Sequence, residues 1–467
     1  MITKPMTAYR PKRLPLLHLW KTLLIVSAIA LLISLSLTSQ ATTNSEKEFE
    51  ALQNEVAVLS HLYYQEAAKE LKGTFYIKPS IKALKSTVIN LVKNNQHALA
   101  NAVILANFPL IKKHIDSREM PIFLGQLLEH NIWKSANNLA QHGLENGRYF
   151  SQSKIHYLLA EYYFSQNHID KTIEHLTSIE SSKPLSKNER DYATLLFGIS
   201  LQKKKKHREA LKIYEKIVPE SEYYGHSRLN IATAHIRQGW WTDAQIAIEE
   251  ALQQKTPESQ KEINNRLLLI LGYSQLQHEF YRNARKTFRR VSLDSKYMNR
   301  ALHGIGLCAL SQKDFLGAIN AFGHLQTIEN TELPTLESYL LVPYTYNRMD
   351  NLDQAAAGYS EAIAFYQIKT RELNAQIDAI RENLEAPIKE DMLALLPEIE
   401  NQTHQMLNEL DTEQSHRATQ KKIRALQSKL NRHLAIKVIG ALQIKAENLK
   451  SYLSQSQYGL AKLYDAP

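Results

Sequence analysis

The sequence predicts an all-α solenoid of helical hairpins with a segment of long helices at its C-terminal end. Three observations predict it. A small residue is followed twelve positions later by Ala or a near substitute: Ala160 and Thr172, Gly198 and Ala210, Ala232 and Ala244, Gly272 and Ala284, Gly306 and Ala318. The pairs recur every 34 to 40 residues, the scale of one supersecondary unit that must stack on its neighbours to bury its apolar face. Only 15 Gly and 14 Pro occur in 467 residues, and no sustained apolar–polar alternation reads as a strand.

The first segment predicts an address. Residues 1–21 hold Lys4, Arg10, Lys12, Arg13 and Lys21 without an acid and read as a basic cytoplasmic tail. Residues 22–39 follow as the uncharged run TLLIVSAIALLISLSLT and its flank, either a transmembrane anchor or the core of a signal peptide. An anchor makes the protein single-pass in a bacterial inner membrane, with its bulk in the periplasm. Ser39-Gln40-Ala41 has the small-x-small form of a cleavage site, and cleavage near Ala41 would release the body into the periplasm. Either way residues 42–467 stand outside the cytoplasm. The lone Cys308 excludes an internal disulfide and a Cys-rich zinc site, and it is expected in the core.

Residues 42–150 read as helical with degenerate repeats: Ala98 and Ala102, then Ala136 and Ala140, look like second-helix fragments of two units. Residues 151–366 carry the clear repeats. One of them splits into DYATLLFGISLQ and HREALKIYEKIV around the turn Lys203 to Lys206. Helix axes approach to about 8 Å only where small side chains meet, which places Gly198 and Ala210 at the crossing. Larger apolar residues stand four and seven positions beyond each Ala: Tyr214 and Ile217, Ile248 and Ala251, Phe288 and Val291, Phe322 and Leu325. That spacing keeps one helix face apolar for the next hairpin. A sixth unit has Pro343 at the small position, with Ala355 and Tyr359 downstream, and the proline predicts a kink.

Residues 367–467 leave the repeat. Ile423, Leu426, Leu430, Leu434, Val438, Leu442, Ala446, Leu449 and Leu453 predict one long amphipathic helix. Ile388, Leu395, Ile399, Met406 and Leu410 suggest another, interrupted at Pro397, with 412–422 as the joint. An antiparallel pair capping the end of the solenoid is the expected arrangement; a coiled-coil contact with a partner or a second copy is the other.

The repeats resemble the tetratricopeptide repeat family. That family carries a small residue at its eighth position, Ala at the twentieth, an aromatic at the twenty-fourth and often Pro near the thirty-second. The matches here are Gly272, Ala284 and Phe288; Gly306, Ala318 and Phe322; Gly198, Ala210 and Tyr214; and Ala160, Thr172, Leu176 and Pro184. The resemblance implies a curved solenoid whose first helices line a concave groove for a protein or peptide. The family's groove positions are the second, fifth, ninth and twelfth. They fall on Tyr157, Glu161 and Phe164, on Arg266, Tyr273 and Leu276, on Arg300 and His303, and on Tyr344 and Asn347.

Catalytic chemistry finds little support. There is no H-E-x-x-H, no phosphate-binding P-loop and no G-x-S-x-G elbow, so no catalytic residue, metal or cofactor is expected. The net charge of +10 is diluted over a chain with 22% charged residues. Nucleic acid is not expected, since export puts it in another compartment. Lys203–Lys206 reads as a solvated turn, and Arg282, Arg285, Lys286, Arg289 and Arg290 line a second helix. The expected work is that of an extracytoplasmic scaffold or adaptor joining proteins in the cell envelope. One alternative is an enzyme, or an accessory subunit of one, acting on envelope polymers with the repeats as docking arm. The other is a structural oligomer built through the C-terminal helices.

Overall fold

The computed structural model describes residues 42–179, 185–253, 261–328, 332–393, 395–396, 400, 403–404, 407–408 and 417–464. The basic tail, apolar run and cleavage motif of residues 1–41 lie outside the described residues, as do Pro184, Pro397, Ile399, Met406, Leu410 and the joint at 412–416. The described residues form helices and no strand.

A leading helix, α1 (Thr42–Glu70), precedes the first hairpin, α2 (Ile81–Lys93) with α3 (His97–Ala106). A short helix, α4 (Phe108–Lys113), leads to the second hairpin, α5 (Met120–Glu129) with α6 (Trp133–Asn146). The chain continues with α7 (Tyr149–Ser165) and α8 (Ile169–Thr177), α9 (Lys187–Lys203) and α10 (His207–Tyr214), and α11 (Tyr224–Arg237) and α12 (Trp241–Gln253). Then come α13 (Lys261–Gln277) and α14 (Tyr281–Phe288), α15 (Met298–Ser311) and α16 (Phe315–Gln326), and α17 (Leu333–Arg348) and α18 (Leu352–Glu382). A single turn, α19 (Glu390–Leu393), and the long α20 (Arg417–Tyr464) complete the described chain.

Each hairpin turns the same way. The residue between its helices has positive φ in every case: Asn95, Asn131, Asn167, Lys205, Gly239, Glu279, Lys313 and Asp350. The next amide donates back across the turn to a carbonyl of the first helix, as in Gln96 to Leu91 at 2.9 Å, Lys206 to Leu201 at 2.9 Å and Asn351 to Tyr346 at 3.1 Å. This is the Schellman closure, which satisfies carbonyls that a helix end leaves free. It marks the poorly matching stretch 81–146 as two full tetratricopeptide-like hairpins, with Ala102, Ala136 and Ala140 buried in their second helices.

The small residues sit under rings. A Cβ on Gly198 would collide with the Tyr214 ring, one on Gly272 with Phe288 and one on Gly306 with Phe322. Gly304 meets Phe288 from the other side, so α15 is wedged between the aromatics of two hairpins. Ala160, Thr172, Ala210, Ala232, Ala244, Ala284 and Ala318 are buried. Helix α17 runs on through Pro343, and Gly358 opposite leaves room for the ring, since a Cβ there would meet it at 2.9 Å.

The C-terminal arrangement contains the expected antiparallel contact and adds to it: Glu400 lies 3.6 Å from Lys437, and Gln427 Nε2 donates to Asn408 Oδ1 at 3.4 Å. The unexpected partner of α20 is α18, the overlong second helix of the last hairpin, which is continuous across residues 366–367. The two run antiparallel: Tyr366 meets Tyr452 at 5.7 Å between ring centroids, and the Tyr359 ring lies under Gly459. The other half of α20 reaches α1, where Phe49 stacks on His433 at 4.8 Å and Lys429 bonds Glu55 at 2.8 Å. Residues of α1, the first hairpins, α17, α18 and α20 therefore share one hydrophobic core. The sequence shows the stripe on α20 but not its contacts with α18 and α1, since a three-to-four spacing names no neighbour.

Candidate functional site

Each first helix from α5 to α17 touches the first helix of the next hairpin, while successive second helices scarcely meet. The first helices therefore form the tighter, inner layer, and their free face is the concave one. The second position of each repeat recurs on that face as Lys154, Tyr192, His226, Arg266, Arg300 and Glu337. His226 and Arg266 are exposed, and the other four are half-buried.

At the α7–α9 end the strip is acidic and aromatic. Ser186 caps α9 and accepts from the Glu189 amide, while the Glu189 carboxylate accepts from the Ser186 amide at 2.8 Å. The same carboxylate takes the Lys154 ammonium, joining α7 to α9. Burial works against ionisation of Glu189, but the bonds from Lys154 and Ser186 outweigh it and hold its carboxyl below the usual range. Glu161 has no such help: burial, then the nearby Glu189 and Glu129, push its carboxyl up. Burial, then Glu161 and Glu189, push the Tyr157 phenol up as well. Tyr192 then meets Tyr223 at 5.2 Å between ring centroids.

At the other end a chain of polar contacts crosses three hairpins. The Tyr273 hydroxyl donates to the Arg300 carbonyl at 2.9 Å and stands 3.4 Å from His303 Nδ1. His303 Nε2 lies 3.3 Å from Glu337 Oε2. His303 is buried, and burial with the Glu337 charge pushes the Tyr273 phenol up. These groups tie α13, α15 and α17 together and hold Arg300 on the inner face.

The groove residues expected from sequence separate into distinct environments. Tyr157, Leu276 and His303 are buried against neighbouring helices. Glu161, Phe164, Tyr273, Arg300, Tyr344 and Asn347 are half-buried, and Arg266 is exposed. Phe164 carries the Lys203 ammonium at 5.1 Å from its ring centroid, and Arg348 Nη1 donates to the Tyr344 hydroxyl at 3.2 Å. Lys154, Glu189, Tyr192, Tyr223, His226 and Glu337 were missing from that set. Four of them occupy the same second position as Arg266 and Arg300, so carrying the register through every unit would have found them.

Other features expected of the sequence settle as structure. Cys308 is buried, and burial pushes its thiol up to about 12. The Lys203–Lys206 run is partly pinned: Lys203 to Asn167 at 2.9 Å, and Lys204 to Asp170 at 2.6 Å. Among the described residues no group of three or more His, Cys, Asp or Glu is placed to hold a metal ion. Nor is any helix among them long and apolar enough to cross a membrane.

No family model and no curated protein matches the chain. Solved structures with similar helical repeats include a chain of the APC/C hetero-tetramer Cut9-Hcn1, at 13% identity over 78% of this chain and 80% of that one, with a TM-score of 0.28. The P58(IPK) TPR domain aligns at 13% identity over 76% of this chain and 98% of that one, TM-score 0.21. A circular tandem repeat protein with novel repeat topology aligns at 12% identity over 90% and 96%, TM-score 0.12. At such TM-scores these structures bear on nothing that this chain binds.

Proposed function

We propose that this chain is a scaffold whose concave strip holds a segment of a partner protein, and that it works outside the cytoplasm of a bacterial cell. One observation carries the reading. Six successive hairpins present a charged, aromatic or imidazole side chain at the same inward position, from Lys154 to Glu337. Such residues anchor protein interfaces through area and directed hydrogen bonds, and stacked helices hold them in place before a ligand arrives. The strip is acidic around Glu161 and Glu189 and basic around Arg266 and Arg300, which suits a segment with charges in the opposite order.

The address rests on residues 1–41. Their basic tail and apolar run support a single-pass inner-membrane anchor with the body in the periplasm, or release after Ala41. The alternative of an enzyme on envelope polymers would need its catalytic centre in residues 42–150 or 370–467, with the repeats as docking arm, and the Tyr273–His303–Glu337 chain lies within the repeats. His303 is buried and the Tyr273 phenol is held protonated, which favours a structural tie. The stripe of α20 is covered by α1 and α18 within the chain, which favours a monomeric adaptor over an oligomer.

Site-specific photocrosslinking in intact cells tests the groove. A crosslinker at Arg266 or Tyr192 should give one discrete protein adduct. A crosslinker at Lys212, on the outward side of α10, should give none. Arg300→Ala should weaken the Arg266 adduct at unchanged protein level. Equal adducts from inner and outer positions, or none from either, would remove the groove from the account.

A further inference from the structure

The convex layer carries a surface that the groove does not use. Helix α14 and the residues just after it hold Arg282, Arg285, Lys286, Arg289 and Arg290, with no acid between Tyr281 and Val291. Arg285 is held by Asp314 at 2.7 Å. Arg282, Lys286, Arg289 and Arg290 are exposed and make no ion pair among the described residues. Arg282, Lys286 and Arg289 follow i, i+4, i+7 spacing and share one outward face. With Arg285 and Gln312 they line a shallow depression. Like charges at i, i+4 work against a helix, so the fold itself does not ask for this cluster.

The cluster is rimmed by apolar side chains that the core does not use. Leu293 is 87% exposed, Leu316 67% and Phe280 59%. Phe280 caps the start of α14, and Leu293 stands in the loop after it. Leu316 occupies on α16 the place that Arg282 occupies on α14, next to the exposed Lys313. The nearby acids are Glu279, Asp294 and the paired Asp314. On the neighbouring α12, Glu249 and Glu250 stand at the places of Arg289 and Arg290, and Thr242 and Ile246 at those of Arg282 and Lys286, so the positive face ends there.

We propose that α14, with Phe280, Leu293, Leu316 and Lys313, is a docking face for the surface of an anionic phospholipid bilayer. Cations reach headgroup phosphates while apolar tips enter the boundary with the acyl chains. An acidic protein segment would satisfy the charges but would leave the three separated apolar tips in water. A convex face also meets a flat layer without collision. This docking is independent of the groove and of the N-terminal segment.

The test uses the full chain with Leu293→Cys labelled by an environment-sensitive fluorophore, the native Cys308 being buried. A label at this site reports docking of the face itself and not insertion of residues 22–38. Emission should shift to the blue with vesicles of phosphatidylcholine and phosphatidylglycerol, and stay unchanged with phosphatidylcholine alone. High salt should abolish the shift. Combined Arg282→Glu, Lys286→Glu and Arg289→Glu should weaken docking by roughly a hundredfold or more, from about 1 kcal/mol per basic residue at an anionic surface. A melting curve checks that this variant folds; if it does not, the salt arm decides. An equal shift with phosphatidylcholine alone, a shift that survives charge reversal or salt, or no shift with either vesicle overturns the proposal. So does a shift produced by polyglutamate and not by vesicles, which would assign the face to an acidic protein.

Discussion

Gly198, Gly272 and Gly306 each lie against the face of one aromatic ring, and that contact fixes what each position accepts. Gly198→Ala or Gly306→Ala should destabilise the protein by roughly 1–3 kcal/mol, because the ring must leave its place to admit a methyl group. Gly440, on α20, has open space where its Cβ would stand. Gly440→Ala should therefore gain up to about 1 kcal/mol from helix propensity alone. Chemical denaturation of the variants separates the two, and equal effects would refute the ring contact. Glu161 sets a second expectation. Its carboxyl is raised above the ordinary 4.5 by burial and nearby acids, so the folded state holds that proton more tightly than the unfolded chain. Its contribution to stability falls as pH rises from 4.5 through the raised value, and the penalty persists at neutral pH. Glu161→Gln should raise the melting temperature at neutral pH, with the gain vanishing in acid. A gain that grows in acid would reverse the assignment. At this scale the sequence showed which residue types line the groove but not their burial. His303 and Leu276 take groove positions in the repeat, yet neighbouring helices cover them.

The recurring element is the hairpin turn. Its left-handed residue is Asn, Lys, Glu or Asp in seven places and Gly only at Gly239, counted over the described residues. A side chain in that conformation costs roughly 1–2 kcal/mol, least for Asn and Asp. Glu279→Gly should therefore stabilise the fold by about 0.5–1 kcal/mol once the extra flexibility of the unfolded chain is subtracted. Thermal melting reads the change, and a lower melting temperature would contradict the turn geometry. The same turns show what was legible. Pairs of small residues set the register from Ala160 onward, because Gly or Ala beneath a ring has few substitutes. In 81–146 that pairing lapses, and the surviving marks were Asn95 and Asn131, residue types that tolerate positive φ. Taken as turn centres, they place both early hairpins.

Over the whole molecule, α20 converts a row of nearest neighbours into a body whose ends depend on each other. Its 48 residues extend about 72 Å at helical rise, far enough to lie on α18 and also on α1. Leu434 is buried in the shared core. Leu434→Ala should cost about 2–5 kcal/mol. Hydrogen exchange should then quicken in α1 as well as in α18, although α1 lies more than 350 residues away in sequence. Faster exchange confined to α20 would show that the ends are independent. Nothing in the stripe of α20 announced this joint, because half of its partner surface belongs to the far end of the chain. During synthesis the consequence is a delay. At 5–20 residues per second the ribosome needs about 20–80 s to pass from α1 to the end of α20. Throughout that interval the first hairpins stand with an uncovered apolar flank. A nascent chain cut short before α20 would thus be left sticky at its beginning, and quality control has a reason to act on the end made first.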